Sequence, residues 1–132
     1  MKWFSLSALV VLLDQATKLL ADARLAYHDP VPLLPFFNLR LAYNTGAAFS
    51  FLGNAGGWQR WFFASISIIV IGVLVVWMRR LKPEQWPLSL AFALIIGGAF
   101  GNLIDRLVYG HVIDFIDVYY GTWHWPTFNI AD

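Results

Sequence analysis

The sequence has no cysteine among its 132 residues. Disulfides, cysteine-ligated zinc and a thiol nucleophile are thereby excluded. Charge is scarce too: Asp, Glu, Lys and Arg make up 13% of the chain, about half the roughly 25% of a soluble domain. Nine basic residues against eight acidic ones leave +1, too little for a surface that follows nucleic-acid phosphates. There is no internal repeat and no low-complexity stretch, and the length suits one unit rather than two. What is abundant is apolar: 59% of the residues are hydrophobic and 17% aromatic. Disorder and a solvated enzyme domain are both excluded. The class that remains is an α-helical integral membrane protein, in which the few polar residues carry the information.

Residues 61 to 78 hold no charge over 18 positions. As a helix they reach roughly 27 Å, against a hydrocarbon core of about 30 Å. The run is rich in Ile and Val, but its length decides for a spanning helix over a strand. A second uncharged run covers residues 85 to 104, 20 positions, with Pro87 near its start, where a helix tolerates proline. The N-terminal apolar run, residues 3 to 13, is followed by Asp14-Gln15-Ala16-Thr17-Lys18. A cleaved secretory signal ending at Ala21-Asp22-Ala23 fits poorly with that polar insert. The sequence instead predicts a helix over residues 2 to 25, with Asp14 and Lys18 one turn apart and facing protein. Three transmembrane helices are therefore expected.

Basic residues set the orientation. Arg79, Arg80 and Lys82 crowd the short link between the second and third spans, which marks it as cytoplasmic. Lys2 then lies inside, while residues 26 to 60 and everything after Asp105 lie outside. Arg24, Arg40, Arg60 and Arg106 fall outside on this scheme, so density rather than total count satisfies the rule. In the outer segment Phe36 to Tyr43 partly alternates, Asn44-Thr45-Gly46 supplies a turn, and a second strand is expected over residues 47 to 52. These predict a small antiparallel sheet at the membrane surface. Residues 53 to 57 read as a loop, with Trp58 and Trp61 as interfacial anchors.

Four polar groups sit in apolar surroundings. Asp14 and Lys18 form either a self-neutralising seam between helices or a pair that orients other polar groups. Asn44-Thr45-Gly46-Ala47-Ala48-Phe49, taken alone, is a turn followed by a strand. In Gly97-Gly98-Ala99-Phe100-Gly101-Asn102-Leu103-Ile104-Asp105-Arg106 the glycines permit close helix packing. Gly98, Asn102, Asp105 and Arg106 share one helical face, and packing alone does not account for an amide and a carboxylate there. The fourth group is Val112-Ile113-Asp114-Phe115-Ile116-Asp117 with Phe128-Asn129-Ile130-Ala131-Asp132. Asp114 is flanked by large apolar residues. Burial raises a carboxyl pKa, and a second carboxyl nearby splits the two further. Two aspartates sharing a proton supply a base and an acid for hydrolysis by activated water. His28, His111 and His124 lack metal-ligand spacing. A hydrolytic acid–base site, a proton-coupled small transporter and a structural membrane protein all remain open at this point. A transporter needs its carboxylates near mid-bilayer, whereas Asp105, Asp114, Asp117 and Asp132 all fall toward the outer surface.

Taken together, the four groups resemble the motif series of the lipoprotein signal peptidases (signal peptidase II), in order and spacing, along essentially the whole chain. The resemblance implies an aspartic endopeptidase of the bacterial inner membrane, multi-pass, with a cytoplasmic N-terminus and its site toward the outer side. Its implied substrates are prolipoproteins, cut before a cysteine that carries diacylglycerol. Membrane lipids are its surroundings, no nucleic acid, metal or cofactor is involved, and a monomer is expected. Carried onto this sequence, the catalytic pair falls on Asp114 and Asp132. Asn44, Asn102, Asp105, Arg106 and Asn129 are supporting polar residues, and Asp14 is structural or supporting. Asp105 is the rival acid, but the adjacent Arg106 is expected to hold it ionised. Base and acid stay unassigned, since a coupled pair titrates as a unit. The family's outer sheet matches the segment around Phe36 to Phe51. Its fourth spanning helix would begin near Asp132, so residues 1 to 132 read as one membrane-embedded peptidase domain cut short at its C-terminus. Such a chain is expected to be weakly active or inactive alone.

Overall fold

In a computed structural model, the fold is described over residues 2–25, 30–44, 58–120, 122–124 and 128–131. A helix that crosses lipid turns its apolar side chains outward, and α1 (Lys2–Arg24) does so. Leu9, Leu12, Leu13, Leu19 and Leu20 are half or more exposed, while its buried residues are Ser7, Asp14, Lys18 and Ala21. That polarity is the reverse of a helix on the surface of a soluble domain. α2 (Trp58–Met78) likewise leaves Ile66, Ile68, Ile69, Val73 and Val76 uncovered. A 3-10 turn over Pro83–Gln85 leads into α3 (Trp86–Tyr109), the most buried helix, which packs against both others. Among the described residues these three helices are long and apolar enough to cross a membrane.

The spans are thus those expected, with different ends. α2 starts at Trp58 rather than at 61, and α3 continues through Asp105 and Arg106 to Tyr109. Lack of charge was too strict a criterion, because a charge with a partner inside the protein does not end a helix. α1 and α3 meet along small residues. A Cβ on Gly97 would stand 2.7 Å from Val10 Cβ and 2.8 Å from the Ser7 carbonyl oxygen, and one on Gly101 would overlap Asp14 Oδ2. The Ser7 hydroxyl donates to the Ala93 carbonyl at 2.7 Å. At the far end, Met78, Phe92, Ala93 and Ile96 form an apolar core with Trp3, Phe4, Leu6 and Leu74 packed on it.

A four-stranded antiparallel sheet caps the end where α1 and α3 finish. Its strands, in spatial order, are β1 (Val31–Leu34), β2 (Phe37–Asn44), β3 (Val112–Tyr120) and β4 (Trp123–His124). The alternation expected from Phe36 is interrupted at once. Phe36 has φ +68° and belongs to the turn after Pro35, so the pairing begins at Phe37. The strand expected over residues 47 to 52, the Asn44-Thr45-Gly46 turn beyond Asn44 and the loop over 53 to 57 lie outside the described residues. β1, β3 and β4 are strands that the sequence reading did not anticipate. In β3, Val112 to Phe115 are all buried, because α1 and α3 both pack on it. A strand covered on both faces loses the alternation by which strands are read.

Candidate active site

Asp114 reaches its surroundings through two local devices. The first is at the end of α3. Gly110 takes φ +82°, a left-handed conformation that suits glycine, and its N–H closes the helix on the Arg106 carbonyl at 3.1 Å. The chain then reverses so that the Ile113 N–H donates to Asp105 Oδ2 at 3.0 Å. The second is a bulge. β2 pairs Leu39 with Ile116 and then Ala42 with Asp114, so it spends one extra residue opposite Phe115. Bulges bend a strand and re-aim its side chains next to active sites.

The Asp114 side chain is 2% exposed. Its Oδ1 accepts from Asn129 Nδ2 at 2.8 Å. The same Nδ2 lies 3.2 Å from Asn102 Oδ1 and 3.2 Å from the Ile113 carbonyl oxygen, while Asn129 Oδ1 accepts the Ala131 N–H at 2.8 Å. Phe128 joins β3 through backbone bonds with Phe115 and Ile116. The Ala131 carbonyl sits directly on Gly98, where any Cβ would collide with it. The segment 128–131 is therefore laid over Asp114 and α3 by backbone, amide and glycine together.

Behind this layer is a buried charge cluster. Lys18 Nζ lies 2.7 Å from Asp14 Oδ2, 2.9 Å from Asp105 Oδ2 and 2.9 Å from Asn102 Oδ1. Lys18, Asp14 and Asp105 are each 1% exposed or less. Gln15 Nε2 donates to Asp105 Oδ1 and to the Gly101 carbonyl, both at 3.0 Å. The expectation that Arg106 supplies the charge beside Asp105 is corrected. The cation there is Lys18, whereas the Arg106 guanidinium stands 5.2 Å from the Phe63 ring centre. Neighbours in sequence point different ways from a helix, so Arg106 does not share the face of Asn102 and Asp105 as expected, and adjacency was the wrong guide. Nor is Asp14 with Lys18 a closed pair, since Lys18 serves a second carboxylate on α3.

Asp14, Asn102, Asp105, Asp114 and Asn129 are thus brought into one hydrogen-bonded network. Asn44 pairs with Val112 through the backbone of β2, and its side chain lies outside the described residues, as does Asp132. Lys18 and Gln15 do the joining between α1 and α3, and the sequence reading did not list them as site residues. The signal available was their spacing from Asp14 within one polar turn. A separate cluster was also missed. Asp117, fully buried, accepts from Asn38 Nδ2 at 3.3 Å and contacts His124 Nδ1 at 2.8 Å. His111, beyond the end of α3, rests on Tyr43 and Tyr109, with ring centres 4.4 and 5.9 Å away. Burial pushes its imidazole below the ordinary histidine pKa, against the opposing pull of the Asp105 and Asp22 carboxylates. Among the described residues no three His, Asp or Glu side chains gather as a metal site. An apolar cleft of about 330 Å³ opens between α1 and the sheet, lined by Leu20, Ala21, Arg24, Leu39 and Phe115.

The sequence model of the family described as signal peptidase (SPase) II matches residues 6–132. The chain belongs to the signal peptidase II family. It is 55% identical over 130 residues to a lipoprotein signal peptidase of Acinetobacter baumannii, a match covering 98% of this chain and 74% of that one. It is 54% identical over 132 residues to the lipoprotein signal peptidase of Yersinia pestis, covering 100% and 78%. A solved structure described as a bacterial membrane enzyme, 32% identical, superposes with a TM-score of 0.86 over 99% of this chain and 83% of that chain. A second, 33% identical, gives 0.85 over 99% and 78%. In this signal peptidase II chain Asp14, Asn102, Asp105, Asp114 and Asn129 meet where the helices join the sheet.

Proposed function

We propose that this chain is an aspartic endopeptidase that frees lipoproteins of their signal peptides, cutting before a diacylglyceryl-modified cysteine, with Asp114 and Asp132 as its catalytic pair. Membership of a peptidase family supports hydrolysis, and the names of the relatives support prolipoproteins as substrates. The observation that carries the assignment of the pair is the 2.8 Å bond from Asn129 to Asp114. It ties the residues just before Asp132 to a buried carboxyl. In the proposed reaction the ionised member takes a proton from water, and the water oxygen adds to the scissile carbonyl carbon. The protonated member hydrogen-bonds the carbonyl oxygen, and return of a proton to the leaving nitrogen breaks the C–N bond. Asn129 holds the Asp114 carboxyl in place, and Asn102 holds Asn129. Asn44 and Arg106 complete the supporting set. The apolar cleft beside Phe115 offers the substrate's lipid a way in from the bilayer, and confinement to the membrane plane limits the search for a reactive pose.

The same reading puts the N-terminus and the 79–82 link in the cytoplasm of a bacterial inner membrane, the sheet on the outer side, and the protein as a monomer. The test offers the protein, in lipid, a lipidated and an unlipidated prolipoprotein. Cleavage is expected of the lipidated substrate only. Asp114→Asn and Asp132→Asn are each expected to lower turnover by at least about a thousandfold without unfolding the protein. Full turnover by Asp114→Asn would remove the proposed pair, and proton-linked flux in place of cleavage would favour a transporter.

A further inference from the structure

The end of the helical bundle away from Asp114 holds a cavity of about 390 Å³ that the peptidase reading does not use. Its walls come from all three helices and their link: Lys2 and Trp3 of α1, Met78 at the end of α2, Lys82 of the link, and Trp86 and Ser89 of α3. Two lysines from distant parts of the chain line it, and among the described residues no Asp or Glu does. Of its lining residues Met78 and Ser89 are buried, whereas Trp86 is 58% exposed. Lys2 Nζ stands 5.3 Å from the ring centre of Trp3, another lining residue.

The chemistry of this lining selects its ligand. Ammonium groups on long stems are compact point charges suited to phosphate. Tryptophans seat at the depth of lipid headgroups, and basic pockets between spanning helices take anionic headgroups. The charge distribution of the whole chain agrees. Lys2, Arg79, Arg80 and Lys82 face a single acid, Glu84, at this end, while the other seven of the eight acids lie elsewhere. From these observations we infer that the cavity binds the phosphate of an anionic phospholipid, held between Lys2 and Lys82 and flanked by Trp3 and Trp86. Bound there, the lipid ties the starts of α1 and α3 to the end of α2.

Phosphate could reach this cavity from a lipid or from solution, and the experiment separates the two. The protein in a zwitterionic detergent is mixed with phosphatidylglycerol, phosphatidylcholine or inorganic phosphate, and retention is read by native mass spectrometry and by the thermal unfolding midpoint. Phosphatidylglycerol is expected to be retained and to raise the midpoint, and the other two to do neither. Lys2→Gln and Lys82→Gln, both at exposed positions, are each expected to weaken phosphatidylglycerol retention about fivefold. Arg79→Gln removes the same charge outside the cavity lining and is expected to leave retention unchanged. Equal weakening by Arg79→Gln would reduce the site to a diffuse basic surface. Equal retention of phosphatidylcholine, or binding of inorganic phosphate as tight as that of the lipid, would overturn the proposal.

Discussion

Lys18 stands at the centre of the residue-scale picture. One ammonium, almost wholly buried, serves two carboxylates and an amide on two helices. Removing one partner of a buried ionic group leaves the others uncompensated, at about 3–5 kcal/mol. Lys18→Met is therefore expected to lower unfolding stability in detergent by about that amount. Asp14→Asn in the same background is expected to recover part of it, since one of the two stranded charges is then gone. Asp105→Asn is expected to behave like a stability variant, with loss of folded protein in proportion to loss of activity. Asp114→Asn is expected to separate the two, and a thermal melt beside a cleavage assay distinguishes them. His111 adds a pH dependence. Its folded pKa lies below the unfolded value of about 6.5, so the folded protein binds the proton less readily than the unfolded chain. That contribution is complete above about pH 6.5 and is lost as pH falls toward the folded value. His111→Phe is expected to flatten the decline in stability between about pH 7 and pH 5.5, measured by denaturation midpoints at the two values.

At the scale of elements, the seam between α1 and α3 decides the geometry of the site. Gly97 and Gly101 let Ser7, Val10 and Asp14 approach the α3 backbone, so that Lys18 and Gln15 reach Asp105. Gly97→Ala and Gly101→Ala are each expected to destabilise the protein by about 1–3 kcal/mol through overpacking. Gly72→Ala, where nothing lies within 4 Å, is expected to cost nothing measurable in the same melt. This seam was legible from the glycine spacing, and so were the three helices, because length without charge is a direct physical requirement of lipid. β3 was not legible. Its first four residues are apolar or buried on both faces, so the period-two signal that marks a strand is absent. The pairing of Asp105 with Lys18 was hidden for another reason: it joins residues 87 positions apart, and nothing local distinguishes it from a pairing with Arg106.

For the whole molecule, the absence of cysteine turns orientation into a clean experiment. With no native thiol to interfere, Lys82→Cys is expected to react with an impermeant maleimide only after the membrane is opened. Tyr120→Cys, on the exposed end of β3, is expected to react from outside in intact cells. The reverse pattern would invert the orientation assigned from basic residues. Composition and patterning by themselves determined the class of this protein, the number and approximate position of its described spans, and the polar residues worth attention. They could do so because the bilayer acts on every residue of a span alike, and its demand is written along the chain. Which carboxylate meets which cation, how the segment 128–131 comes to lie over Asp114, and where a bulge in β2 shifts its register against β3 were decided only by tertiary structure. Those relations depend on distances between segments far apart in sequence, which close packing sets and no local pattern encodes.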